Sequence, residues 1–384
     1  MEIQNTDLPE LNTFEKTQKR RGVVDFVLFF CMLAISLSGG NLFFEYTQAL
    51  QNESEIVLKS PPSHKIYKPL FAAFHEEYEK TIMKTTVDAL PKNEKINFSL
   101  PLRPASEKKI GVYLHMNNTA NPKVLDSEIE KLKKMENPAL VFDVKGSFVY
   151  FSANSAIAKK YDLVKPLYDL PEILAKLKSS GIYTIARVIS LKDDVFINQN
   201  PAVRLWNFNK TKFVPEWVDP TNPEVWDYNR EIITEIIAAG IDEINLDFVR
   251  YPDRFTGEFL GITGEEKIQN VSNFVKMVRE TIDEKNPQTI LSVNTFAILG
   301  WDHEENAEAL GQDVIALAKF ADIIAPMLYP STFSRDNPNY FLEGKSFEYS
   351  TVYQTLKKYE ELLGEDSKKL RPWIQGYYMT KKNM

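Results

Sequence analysis

The hydrophobic pattern along the chain has three regimes. Residues 26–44 (FVLFFCMLAISLSGGNLFF) form one uncharged run. As a helix it would be roughly 28 Å long, close to the hydrocarbon thickness of a bilayer. Residues 46–108 are polar and broken by Pro61, Pro62, Pro69, Pro91, Pro101 and Pro104, with helical spacing only over 67–90 (Leu70, Phe71, Phe74, Tyr78, Ile82). From Lys109 onward, short β-rich apolar runs alternate with amphipathic stretches. The runs are 110–116, 139–145, 183–189, 243–249, 289–296, 322–329 and 371–378. Near-continuous apolar runs of this length are strands of a parallel sheet covered on both faces.

The stretches between the runs carry helix start and stop signals. Asn121-Pro122, Asp169 before LPEILAKLKSS, Asn222-Pro223 and Thr263 mark starts, and Gly181 and Gly240 mark ends. A cap oxygen satisfies a free N–H at the start, proline fits the first turn, and glycine takes the left-handed closing turn. Strands alternating with helices predict right-handed βα units, and seven in a row favour a (β/α)8 TIM barrel over a doubly wound open sheet. No glycine-rich phosphate loop follows any strand. Seven strands are readable, so the eighth is missing, supplied by 46–108, or lies beyond residue 384.

Lys16, Lys19, Arg20 and Arg21 precede the uncharged run. The positive-inside rule then predicts a basic cytoplasmic tail (1–21), a transmembrane signal anchor (22–45), a spacer or stalk (46–108) and an extracytoplasmic barrel domain (109–384). Cleavage of a signal peptide near Ser36–Gly40, with secretion, is the alternative.

Composition narrows the function classes. Lys and Arg number 46 against 53 Asp and Glu, a net charge of −7, which argues against nucleic acid as partner. The single cysteine, Cys31, excludes a disulfide framework and a cysteine-rich zinc site. Four histidines (His64, His75, His115, His303) make a histidine metal centre a poor expectation, and no metal or cofactor is predicted.

Barrel enzymes place their chemistry at the C-terminal strand ends. Those ends offer His115, Asp143, Lys145, Arg187, Asn245, Asp247, Arg250, Tyr251, Asn294, Tyr329, Trp373 and Gln375. An ionised group in an apolar strand is costly unless paired, so Asp143, Arg187 and Asp247 form either a buried ion-pair network or a polar active-site floor. Asn245 and Asp247 are two apart and share one face of their strand. Asp242 joins that face only if it has entered the strand. Arg250 could pair with a carboxylate or grip a substrate oxygen.

The segment GIDEINLDFVRYP (240–252) is the most specific feature. With VFDVKG before it, WVDPTNPEVWDYN between, and APMLYPSTF and RPWIQGY after it, it resembles the bacterial putative glycosyl hydrolase domain family, over about residues 109 to 378. That resemblance implies a (β/α)8 fold related to α-amylase-like barrels, a polysaccharide or oligosaccharide as substrate, and Asp247 at the nucleophile position. Laid on the chitinase pattern DxxDxDxE, Asp242 and Asp247 match the first and third acids, Asn245 replaces the second, and Val249 stands where the proton donor would be.

Glycoside hydrolysis normally needs two carboxyl groups. Asp247 is the candidate nucleophile or base. Asp143 is the first candidate partner, and could equally be a structural carboxylate held by Arg187 or Lys145. Asp302, in the loop after the fifth run, is the second. Asp219 in WVDP reads as a turn residue. Trp206, Trp217, Tyr251, Trp301, Tyr329 and Trp373 are candidate sugar platforms, and His115 a hydroxyl ligand. A carbohydrate-binding pseudoenzyme is the rival reading.

Overall fold

The computed structural model describes residues 108–253 and 257–377. The cytoplasmic tail, the anchor and all but Lys108 of the spacer lie outside the described residues. Among the described residues, no helix is long and apolar enough to cross a membrane.

All seven predicted runs are strands of one sheet. They are β1 (Ile110–Leu114), β2 (Pro138–Lys145), β3 (Tyr183–Ile189), β6 (Glu243–Asp247), β7 (Ile290–Phe296), β8 (Ile323–Leu328) and β9 (Trp373–Ile374). Every neighbouring pair is parallel, in the order β1-β2-β3-β6-β7-β8-β9. The expected eight-stranded barrel is realised, among the described residues, as a curled seven-stranded half-barrel. Strands β4 (Arg204–Trp206) and β5 (Phe213–Val218), inserted between β3 and β6, form a separate antiparallel pair. The apolar pattern did not single them out, because their short, mixed sequence lacks a buried run.

The helices are α1 (Met116–Thr119), α2 (Pro122–Leu132), α3 (Ala156–Lys160), α4 (Leu170–Ser179), α5 (Asp194–Gln199), α6 (Pro223–Ala238), α7 (Gly257–Leu260), α8 (Gly264–Lys285), α9 (His303–Leu310), α10 (Val314–Ala318) and α11 (Phe347–Leu363). The sequence signals act as expected. Asn121, Asp169 and Asn222 cap α2, α4 and α6 through their side chains. Thr263 and Glu266 complete a reciprocal capping box on α8. Gly181 and Gly240 take positive φ after α4 and α6, a conformation that costs a residue with a Cβ.

Helix α8 shows how the outer layer is held. Val271, Phe274, Val275, Val278 and Ile282 are all fully buried, at the spacing of one helical face. Burying each such side chain stabilises the fold by roughly 1.5–3 kcal/mol. An aspartate at Val278 would leave an unpaired charge in that layer and break it. The helices thereby cover the outer face of the sheet, while its inner face turns polar toward the strand C-termini.

Candidate active site

The inner face of β6 carries Glu243, Asn245 and Asp247, all buried. Period two puts them on one side, and each meets a different environment. At the C-terminal end, Asp247 Oδ2 accepts from Arg187 Nε at 2.9 Å and pairs with Nη2 at 2.7 Å. Arg187 comes from β3, next in the sheet. Its Nη1 donates to Asp143 Oδ1 on β2 at 2.6 Å. One guanidinium therefore bridges two carboxylates. Burial opposes its charge, but Asp247 and Asp143 outweigh that and hold Arg187 above its ordinary value.

Each carboxylate has further donors. Tyr113, on β1, donates its hydroxyl to Asp143 Oδ2 at 2.6 Å, and the Met116 amide reaches the same oxygen at 3.4 Å. The Tyr168 hydroxyl donates to the Asp143 backbone carbonyl. Asp247 Oδ1 accepts from the Phe248 amide at 2.7 Å. All four carboxylate oxygens thus accept a hydrogen bond. Burial, then the charge and hydrogen bond of Asp143, push the Tyr113 phenol up. Phe248 has φ +53°, a left-handed conformation unusual for a bulky side chain and placed directly after the central acid.

A register shift between Asp143 and Lys145 re-aims the lysine. Lys145 does not hold Asp143. Its Nζ pairs with Asp193 at 3.0 Å, and both side chains are essentially inaccessible. Burial pushes the Asp193 carboxyl up, against the nearby Lys145. Asp193 also caps α5, so this pair fastens the loop after β3 to the end of β2.

Asn245 lies one layer below Asp247. Its Nδ2 donates to Ser292 Oγ at 2.8 Å and Asn294 Oδ1 at 2.9 Å. Trp373 Nε1 donates to the same Asn294 oxygen at 2.8 Å. Asn294 and Trp373 therefore build the floor rather than the mouth. At the other end of β6, Glu243 is clasped by both terminal nitrogens of Arg371, one bond at 2.9 Å. Asp242 precedes β6 and accepts from the Thr184 amide and hydroxyl at 2.9 and 2.6 Å, so it is an end residue and not part of the inner face. Asp219 accepts from Thr221 in a local turn, as expected.

Several expected site residues are elsewhere. Trp301 is buried beneath α11, with Nε1 on Thr355 Oγ1 at 2.9 Å, so it is core. Tyr251 is 1% exposed, and its hydroxyl accepts from Asn270 at 3.0 Å. Both sit in apolar surroundings that an aromatic ring fills as well as a sugar would. Asp302 is no partner of the Arg187 cluster. It precedes α9 in left-handed backbone and lines an acidic depression with His303, Glu304, Glu305 and Glu308. His115 is exposed and caps α1 through the Asn117 amide at 3.4 Å. Gln375 accepts from the Ser331 amide at 3.1 Å, joining the end of β9 to the loop after β8.

Of the six proposed platforms, Tyr329 stays at the cluster. Burial, Tyr377 and Asp247 push its phenol up, in that order. It packs edge-to-face against Tyr377, centroids 5.9 Å apart. Trp217, in β5, and Phe248 lie under the guanidinium of Arg250 instead. Tyr113 and the Glu243–Arg371 pair escaped the sequence reading. Tyr113 alternates with Gly111 along β1, and that two-residue period was the available signal. Among the described residues, no group of three or more His, Cys, Asp and Glu side chains is placed to hold a metal ion.

Comparison with known proteins gives a consistent picture. The profile of a family described as "Putative glycosyl hydrolase domain" matches residues 111–384. No curated protein matches the chain. Among solved structures, the PgaB (BpsB) glycoside hydrolase domain from Bordetella bronchiseptica aligns with TM-score 0.52 and 16% identity, covering 68% of this chain and 82% of that one. This likeness supports the fold. A hypothetical protein from Ruminiclostridium thermocellum aligns at 25% identity and TM-score 0.42, over 47% of this chain and 96% of its own. An α-amylase from Lactobacillus plantarum aligns at 13% identity and TM-score 0.43, covering 70% and 60%.

Proposed function

The chain belongs to the family described as "Putative glycosyl hydrolase domain"; from that premise we propose that it is a glycosidase that cleaves an extracellular or cell-envelope polysaccharide, with Asp247 and Asp143 as the acting carboxyl pair. The observation that carries this reading is the sharing of one guanidinium by two carboxylates at the C-terminal mouth of a parallel sheet. Two hydrogen bonds across one planar guanidinium keep the two carboxyl groups within about 8 Å. Retaining enzymes need a separation of ~5–5.5 Å and inverting ones ~6.5–9.5 Å, so a carboxyl pair of either kind fits that span.

Asp247 is the nucleophile or base. Its position is fixed on one oxygen by the Phe248 amide and on the other by Arg187. Asp143 is the acid. In that role it gives a proton to the leaving glycosidic oxygen, while water supplies the hydroxyl at the anomeric carbon and returns the proton. Tyr329 provides a ring beside the cluster for a sugar face. Residues 22–45 anchor the chain in the membrane and place the barrel outside the cytoplasm.

The test is hydrolysis of a panel of bacterial glycans by the full-length chain, beside Asp247→Asn and Asp143→Asn. Turnover lost in both, with melting temperatures held, supports the pair. Undiminished turnover in Asp247→Asn refutes it. A second reading, sugar binding without turnover, is favoured by one observation: all four carboxylate oxygens are already occupied by donors. It predicts glycan binding in all three proteins and hydrolysis in none.

A further inference from the structure

Arg250 is a buried cation with no carboxylate partner among the described residues. It is 7% exposed. Its Nη1 donates to the Tyr251 carbonyl at 2.8 Å. Three rings surround its guanidinium, with the centroids of Phe296, Trp217 and Phe248 at 4.2, 4.9 and 5.7 Å. Among the described residues, no Asp or Glu lies within ion-pair distance of it. The contrast with three other arginines is direct: Arg279, which is buried, and Arg187 and Arg371, which are partly buried, each hold at least one carboxylate.

Stacking on rings recovers only part of what a guanidinium loses on leaving water. Burial accordingly pushes Arg250 down to about 10, against the pull of Asp253 and Asp247. A buried charge without a partner of opposite sign marks a candidate binding group. The position fits a ligand. Arg250 follows Asp247 by three residues and stacks on Phe248, the strained residue between them. A second cation, Lys192, faces the same Phe248 ring at 5.2 Å, although it also pairs with Glu216 at 3.4 Å. Neutral hydroxyls would complete the hydrogen bonding of Arg250 but not its charge. A planar carboxylate completes both, because its two oxygens match the guanidinium fork.

We infer that Arg250 is the anion-binding group of the subsite next to Asp247, and that the glycan this chain takes carries sugar carboxylates, as in uronic acids. This rests on the glycosidase reading of the Asp143–Asp247 site. The charges are compatible. Asp143 and Asp247 are both held by Arg187, and Arg250 is bonded to neither of them, so its charge stays available to a uronate.

The test is calorimetric titration of the full-length chain with galacturonate, glucuronate and mannuronate tetrasaccharides, with their methyl esters, and with a phosphorylated neutral tetrasaccharide. Hydrolysis of each is followed in parallel. At least one uronate is expected to bind at least about tenfold more tightly than its ester, the scale of losing one partner of a buried charge pair. Arg250→Gln should erase that preference. Arg250→Lys keeps the charge without the fork, so it should retain part of the preference, and it decides the matter if the glutamine variant does not fold. Equal binding of acid and ester throughout the panel, or a preference that survives Arg250→Gln, overturns the inference. Tighter, Arg250-dependent binding of the phosphorylated sugar than of any uronate overturns the assignment to carboxylates. Hydrolysis of glycans without an acid-over-ester preference refutes Arg250 as the anion site and leaves the glycosidase reading intact. Arg250-dependent uronate binding without turnover does the reverse.

Discussion

The two ends of β6 hold their acids in opposite ways. At the N-terminal end, Glu243 is fully buried and matched one to one by Arg371. At the C-terminal end, Asp247 shares the single cation Arg187 with Asp143. A one-to-one pair satisfies its own charges and leaves nothing for a ligand, although the Arg371 side chain, 24% exposed, is no drier than Arg187. A cluster with two acids to one cation, open to the mouth, keeps an acid to spare. The difference separates a charge pair complete in itself from the cluster that the proposed function puts to work, and it can be broken by mutation at either end.

Asp247→Asn should produce the largest effect, a loss of glycan hydrolysis of about 10³-fold, the upper range for removing a positioned acid or base. Its unfolding midpoint in urea should change little, since Arg187 keeps Asp143 as its counter-charge. A large loss of stability with turnover retained would place Asp247 with Glu243 as a structural acid. Trp301→Ala tests the correction made by the fold. Emptying that site beneath α11 should cost about 3–5 kcal/mol of stability, with the KM of surviving molecules unchanged. A rise in KM without loss of stability would restore Trp301 as a sugar platform.

Glu243→Gln comes next. Leaving Arg371 without its counter-charge should cost about 3 kcal/mol, read from denaturant unfolding, while activity per folded molecule persists. Equal stability would mean that the lower pair contributes little. Tyr113→Phe should lower kcat/KM about tenfold, the scale of a hydrogen bond to a charged group. The same substitution should leave the melting temperature within a few degrees.

The smallest effect concerns alkaline pH. The Tyr150 phenol is pushed up to about 12 by burial, then by Asp143 and Asp193. The folded protein therefore keeps a proton that the unfolded chain releases near pH 10. Its contribution to stability is complete below about pH 10 and falls as pH rises toward 12. The urea midpoint should drop between about pH 10 and 12, and drop less in Tyr150→Phe. An identical pH dependence in the variant would contradict this environment.

The legibility of the molecule follows the same division. The seven strands could be read because burial on both faces writes a continuous apolar run. Helix ends could be read because Asn121, Asp169, Asn222 and Thr263 act within three residues of themselves. Asp143, Arg187 and Asp247 stood out because a charge in an apolar strand needs a reason. Their partnership could not be read, since 44 and 60 residues separate the arginine from the two acids. The same limit placed Trp301 and Tyr251 wrongly, because an aromatic beside a strand end looks the same in sequence whether a helix or open solvent lies above it. It also hid Tyr113, whose role exists only because β1 lies beside β2.

The sequence by itself determined the strand and helix rhythm and the three ionised residues of the inner face, which rest on local periodicity and on the cost of burying charge, and the family, which rests on the resemblance of its motifs. Only the tertiary structure decided which charge meets which. That choice depends on strand order, on the register shift that turns Lys145 toward Asp193, and on the curl of the sheet that brings Asp143 and Asp247 to one guanidinium while leaving Arg250 among rings with no acid of its own.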